Sequence, residues 1–225
     1  MQFASAITRS IPARADRLAL GELASLAYRL GRTRATGVLA LYPPRRALGE
    51  QARPTVLLLR RGHVITVTRA TTARLSRRQR SLPPSVGAGT ALGLLDRGAA
   101  RSLAILAAER ELYYTFDSGL AAYPSGAVER QFALAQWARS HIESHFNTAA
   151  AQRLVTELAG TRIAAVRYLA PDSALCDATD LRILDAMRAP RQLEQIAVMA
   201  RTPRYRLLSF LHFLRAVNGL TVITA

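Results

Sequence analysis

Four residues near the C-terminus, Arg201, Arg204, Tyr205 and Arg206, place guanidinium groups and an aromatic ring at the start of an apolar helical pattern. Such a set can contact phosphates and base edges when a helix enters a major groove by its N-terminal residues. A second set, His141-Ile142-Glu143-Ser144-His145, puts two imidazoles at i and i+4, where both can face one zinc ion. The helical zinc-protease pattern needs Glu directly after the first His, and Ile142 stands there instead, with no third ligand nearby. These histidines read as surface or packing residues. Gly87-Ala88-Gly89 with Gly93 suggests a phosphate-binding loop, but Leu92 occupies the position of the third glycine and no Gly-Lys-Ser/Thr follows. No Gly-x-Ser-x-Gly elbow occurs. The expectation is a protein with no catalytic residues, no metal and no cofactor.

Charge supplies the next set of candidates. The chain has 225 residues and a formal net charge of +16. All 31 basic residues are arginine, which reads in part as the imprint of a GC-rich genome. Residues 1–80 hold 16 arginines against Asp16, Glu22 and Glu50, a net of +13, while residues 81–170 and 171–225 are close to neutral. Arg45, Arg46, Arg53, Arg60 and Arg61 form one cluster, and Arg74, Arg77, Arg78 and Arg80 another, in a basic linker around 69–85. Such a field attracts nucleic acid, anionic lipid or an acidic partner, and it is also what a solvated surface looks like. No apolar run reaches the roughly 20 residues of a membrane span. Cys176 is the only cysteine, so no internal disulfide forms and a reducing compartment, the bacterial cytoplasm, is expected.

Elements must position these groups. Residues 1–17 read as a loose arm. Leu23, Leu26, Ala27 and Leu30 fall on one helical face, Val38–Tyr42 is a strand stopped by Pro43-Pro44, and Thr55–Arg60 and His63–Thr68 form a hairpin about Arg61-Gly62. Gly87–Ala108 suggests one or two helices broken near Gly98, and Glu111–Phe116 is an aromatic, β-branched strand. Val128–Phe146 and Ala149–Leu158 read as helices of a connector over 127–170, and Ile163–Leu169 is ambiguous. The expected fold class is α+β: a helix with a small, mostly antiparallel sheet in an 18–126 domain, then a helical region ending in a 171–225 helix-turn-helix-like domain.

That last domain has clear punctuation. Asp177 caps a helix that Pro190 ends, Leu193–Met199 forms a second, and Thr202-Pro203 starts a third that Asn218-Gly219 closes before a terminal strand. Helix, helix, turn, helix, strand is winged-helix order, though only one wing strand follows. From Leu207 to Val217 seven of eleven residues are large and apolar, which suits a packed helix as well as a DNA-reading one.

The run Gly21-Glu22-Leu23 … Leu26 … Leu30 … Thr36-Gly37-Val38-Leu39-Ala40-Leu41, then Val56-Leu57-Leu58-Leu59 and Gly62-His63-Val64, resembles the PATAN family, a bacterial domain of response-regulator and other signalling proteins. Tyr113–Gly119 is similar to its later aromatic strand, and the ending from Leu181 to Leu220 to the helical tail often attached to it. The resemblance implies a non-enzymatic regulatory or adaptor role, with no catalytic residues to carry over. Two functions are therefore expected in competition: an adaptor that binds a protein partner, and a DNA-binding regulator using the C-terminal unit with the arginine-rich N-terminal surface.

Overall fold

The computed structural model describes residues 13–44, 54–69, 99–118, 132–166, 169 and 171–224. The fold is α+β, and the chain divides into two compact units. The first runs through Leu23 and resumes from Thr33 to Leu134, and the second takes Ala24–Arg32 and everything from Ala135.

The first unit contains β1 (Asp16–Ala19), β2 (Gly37–Tyr42), β3 (Thr55–Arg60), β4 (His63–Arg69), a helix α2 over 99–107, β5 (Glu111–Asp117) and β6 (Phe132–Ala133). Its strands form one six-stranded antiparallel sheet in the order β1-β5-β2-β3-β4-β6. Strands β2 and β3 read as unbroken apolar runs because they lie mid-sheet and bury both faces. Leu39 and Leu41 are buried on one alternation phase of β2, and Ala40 and Tyr42 on the other. The second phase packs with Val56, Val38 and Tyr113. Each large side chain so buried contributes roughly 1.5–3 kcal/mol.

The β3–β4 hairpin forms as its glycine suggests, with Arg61 at φ 50° and Gly62 at φ 77°. Two left-handed central residues match the twist of the flanking strands. The strain at Arg61 is met by its N–H donating to Thr36 Oγ1 at 2.9 Å, while the Gly62 N–H donates to Ala35 O at 2.9 Å. Gly37 begins β2 where no side chain fits, since a Cβ there would lie 2.2 Å from the Asp117 carbonyl oxygen.

Two expectations are corrected in this unit. The loose arm does not extend to residue 17, because Asp16 and Arg17 pair with Tyr114 and Tyr113 in the sheet and Arg17 Nε reaches Glu111 Oε1 at 2.9 Å. Phe132 and Ala133 are strand rather than helix. They pair with Val64 and His63, and the Leu134 N–H donates to Gly62 O at 3.0 Å. Satisfying the β4 edge wins over the helical periodicity of this stretch.

Helix α1 (Glu22–Arg32) carries the chain into the second unit, which holds α3 (Leu134–Ser144) from Ala135 on, α4 (Thr148–Leu158), β7 (Arg162–Ala165), α5 (Ala178–Ala186), α6 (Leu193–Met199), α7 (Arg204–Ala216) and β8 (Leu220–Ile223). Residues 127–170 were expected to form a helical connector. Instead α3, α4 and β7 belong to this unit, with α4 packed along α7 and β7 paired to β8. Helix α1, expected in the N-terminal domain, buries Tyr28 here, its ring 5.3 Å edge-on from Phe213. Gly31 weakens the helix but is needed: a Cβ would sit 2.4 Å from the Ala135 backbone nitrogen.

The caps follow the sequence at most ends. Asn147 caps α4, and Asp177 with Asp180 makes a reciprocal capping box on α5. The α7 start differs: Thr202 does not cap, its buried hydroxyl donating to Ala200 O at 3.4 Å, and Pro203 takes the cap position. Asn218 closes α7 at φ 59°, with its N–H on Arg215 O and the Gly219 N–H on Leu214 O, a Schellman arrangement.

Candidate functional site

The C-terminal segment runs α5, α6, α7, β8, and β8 finds its strand partner upstream. β7 pairs antiparallel with β8, Ile163 opposite Val222. On its other edge, Ile163 exchanges both backbone hydrogen bonds with Arg191, which lies between α5 and α6. Residues 162–165 thus lie between β8 and the Arg191 segment.

Arg201, Arg204, Tyr205 and Arg206 come together at the N-terminal end of α7, but they are not equivalent. Arg201 sits in the α6–α7 turn at φ 49° and is exposed. Arg204 is exposed, with Nη2 4.0 Å from Glu194 Oε1. Tyr205 is 58% exposed and leans on Phe146 at 5.0 Å between centroids. Arg206 is already engaged. Its Nη2 donates to Asp180 Oδ1 at 2.5 Å and Asp177 Oδ2 at 2.9 Å.

This engagement is part of a buried polar node invisible to periodicity. Asp180 is fully buried, and its second oxygen accepts from Arg139 Nη2 at 2.6 Å and from the Asp177 N–H at 3.0 Å. Arg139 also donates to Glu143 at 2.9 Å and to the Leu175 carbonyl, and its guanidinium lies 5.6 Å and 5.5 Å from the Phe210 and Phe213 rings. Burial alone would lower the Arg139 pKa, but the hydrogen bond and charge of Asp180, with Glu143, raise it above its ordinary value. The Asp180 backbone N–H, then Arg206, hold the Asp177 carboxyl below the usual carboxylate range. Burial, with Asp180 nearby, pushes the Cys176 thiol up to about 11, so it stays protonated and unreactive near neutrality. The node locks the start of α5 to α3 and α7.

Of the two histidines of the metal-like spacing, His141 stacks on Trp137 at 5.1 Å between centroids, and His145, just past the end of α3, is tilted against His141 at 4.4 Å. His145 Nδ1–H donates to the His141 carbonyl at 2.8 Å. Among the described residues no group of three His, Cys, Asp or Glu is placed to hold a metal ion.

The N-terminal candidates divide. Arg60 and Arg61 are exposed at the β3–β4 turn of the first unit. Arg45, Arg46, Arg53, Arg74, Arg77, Arg78 and Arg80, and the Gly87–Gly93 stretch, lie outside the described residues.

One feature of the second unit was not expected from sequence. Large apolar side chains stand exposed along α5 and α6: Leu181 at 44%, Val198 at 76% and Met199 at 53%. Leu181 and Met199 border an open groove of about 820 Å³. The signal was present in α6, where Leu193 and Ile196 already satisfy the buried face and Val198 and Met199 are surplus to it. Among the described residues no helix is long and apolar enough to cross a membrane. Comparison with protein-family models, with curated proteins and with solved structures gave no match.

Proposed function

We propose that the protein is a non-enzymatic regulatory adaptor that works through protein–protein contacts. The observation that carries this reading is the state of α7. Six of its large apolar side chains, from Leu207 to Leu214, are buried in the unit's own core. One of its N-terminal arginines, Arg206, bridges two carboxylates. Pulling Arg206 off them costs about 1.5–3 kcal/mol for each hydrogen bond to a charged group. A good base contact returns only about 1–3 kcal/mol. Groove reading through Arg206 therefore gains little, while the exposed apolar surface of α5 and α6 is free for a protein. The PATAN-like pattern of the β2–β4 core supports the same class of role.

The test is in-cell cross-linking and purification of the tagged full chain, run beside fluorescence anisotropy with duplex DNA at low salt. A stoichiometric protein partner, with DNA binding that does not depend on Arg204, supports the adaptor. No protein partner, together with duplex binding abolished by Arg204→Ala, overturns it.

One observation favours a DNA-binding regulator as the second reading: the β7–β8 pair and exposed Arg201, Arg204 and Tyr205 belong to the same unit. On that reading affinity falls by roughly a decade or more over a few-fold rise in salt. Arg204→Ala then relaxes sequence preference, while Arg77→Ala weakens all sequences alike.

A further inference from the structure

The groove on the second unit has a chemistry of its own. Its accessible apolar wall is formed by Leu181, Leu184 and Met199, with Ala165 of β7 beside them. Isolated exposed apolar residues are ordinary on a protein surface. Here Leu181 and Met199, contributed by different helices, line one depression. An unbranched methionine such as Met199 adapts to varied apolar surfaces, which suits a contact made and released.

The rim is positively charged. Arg182, Arg188 and Arg201 border the groove, against the single carboxylate of Asp185. Arg188 pairs with Asp185 at 2.9 Å, both side chains largely exposed. Arg182 is held in place without being neutralised: Nε donates to Ala200 O and Nη2 to Thr179 Oγ1, each at 3.0 Å. Arg201, at φ 49°, is exposed and makes no ion pair among the described residues. Two guanidinium charges thus remain unmatched at the edge of an apolar floor.

These features decide the occupant. A small-molecule site carries a few convergent polar groups within its apolar lining. Among the described residues the only buried side-chain polar atom without a partner is Arg32 Nε, which does not line this groove. Nucleic acid would set phosphates against leucine and methionine. A second copy of a chain with net charge +16 brings repulsion to an already basic rim. An amphipathic helix with apolar anchors at i, i+3 or i+4, and i+7, flanked by Asp or Glu, satisfies both the floor and the rim.

We infer that the groove between α5, the end of α6 and β7 docks an acidic amphipathic helix of a partner protein, its apolar face on Leu181, Leu184 and Met199 and its carboxylates on Arg182, Arg188 and Arg201. This rests on the adaptor reading and names the chemistry of its partner.

The test uses the full chain and three fluorescein-labelled peptides of about 15 residues, four helical turns, with identical leucine positions and Glu, Gln or Lys on the flanks. By anisotropy the Glu peptide binds best, about tenfold or more tighter than the Lys peptide, and the gap shrinks as salt rises. Met199→Glu, at an exposed position, weakens the Glu peptide about tenfold while leaving the thermal melt unchanged. The paired change Arg188→Glu with Arg201→Glu reverses the preference toward the Lys peptide, which a merely structural role for these arginines would not do. Equal binding of all three peptides, no binding of any, or indifference to Met199→Glu overturns the groove assignment. Such a failure leaves the adaptor reading standing if cross-linking still recovers a protein partner. Arg204-dependent duplex binding without a protein partner removes both.

Discussion

Asp180→Ala removes a fully buried carboxylate that accepts from Arg139, Arg206 and the Asp177 N–H. The loss falls mainly on Arg139, whose side chain is only 12% exposed. Stranding one partner of a buried ion pair costs about 3–5 kcal/mol. Two structural facts place this case at the lower end. Glu143 still accepts from Arg139, and Arg206, at 30% exposure, keeps Asp177 and can turn to water. Half of the α5 capping box is lost as well, so about 3–4 kcal/mol is expected in total. Asp180→Asn keeps the volume and an acceptor and should cost less. The assay is urea unfolding followed by Trp137 fluorescence. Trp137 is the only tryptophan and lies on α3, one half-turn from Arg139, so it reports the second unit and avoids treating the whole chain as one transition. For a unit near 100 residues each kcal/mol shifts Tm by roughly 4–8 °C. The double change Arg139→Met with Asp180→Leu removes both charges and should be far milder than Asp180→Ala, because no buried charge is left unpaired. A cost below about 1 kcal/mol for Asp180→Ala, or a double variant as damaged as the sum of the singles, would refute the account of the node.

Gly37→Ala drives a Cβ into the Asp117 carbonyl, 2.2 Å away across the β2–β5 ladder, and should destabilise the first unit by about 1–3 kcal/mol while leaving the Trp137 transition in place; separate far-ultraviolet and fluorescence melts check this. Acidification should weaken the second unit. Burial first, then His145, holds the His141 pKa below the usual imidazole value, and burial, then Arg215, Arg153 and His145, does the same for His212. The folded state therefore binds fewer protons than the unfolded chain below the unfolded pKa of about 6.5, so stability present above that pH is lost as it falls toward the folded values. Melts followed at Trp137 from about pH 7.5 down to about pH 5.5 should show a falling Tm, and His212→Gln should flatten the slope.

The local geometry was legible wherever a single residue type dictates it. The Arg61-Gly62 hairpin, the Asp177 capping box, the Asn218 closure of α7 and the strand at Glu111–Asp117 all come from backbone preferences acting over a few residues. What the sequence hid depends on partners far along the chain. Tyr28 looks like a residue at the flank of an amphipathic stripe, yet it is buried against Phe213 because α1 joins the second unit. Its hydroxyl is pushed up to about 12 by burial. Phe132 and Ala133 continue a helical period but become strand, because the β4 edge offers them hydrogen bonds. The candidate site followed the same division. Arg201, Arg204, Tyr205 and Arg206 were identifiable from their spacing, whereas the commitment of Arg206 to Asp177 and Asp180 requires two residues almost thirty positions upstream. The groove was hidden for a different reason: it is defined by apolar residues left uncovered, and a hydropathy pattern cannot distinguish those from core.

The strand borrowed from upstream bears on how this molecule is made and cut. β8 has no partner until it reaches β7, and α4 and β7 lie before the three helices that the winged-helix order would isolate. A fragment starting at residue 171 carries β8 as an open edge, without Ile163 to close it. On the ribosome, the sheet of the first unit has its last described strand once Ala133 has emerged, whereas the second unit stays open until Leu220–Ile223 is synthesised. Its closure is therefore a late, long-range event, and the α1 segment, made early, must wait for it with Tyr28 uncovered.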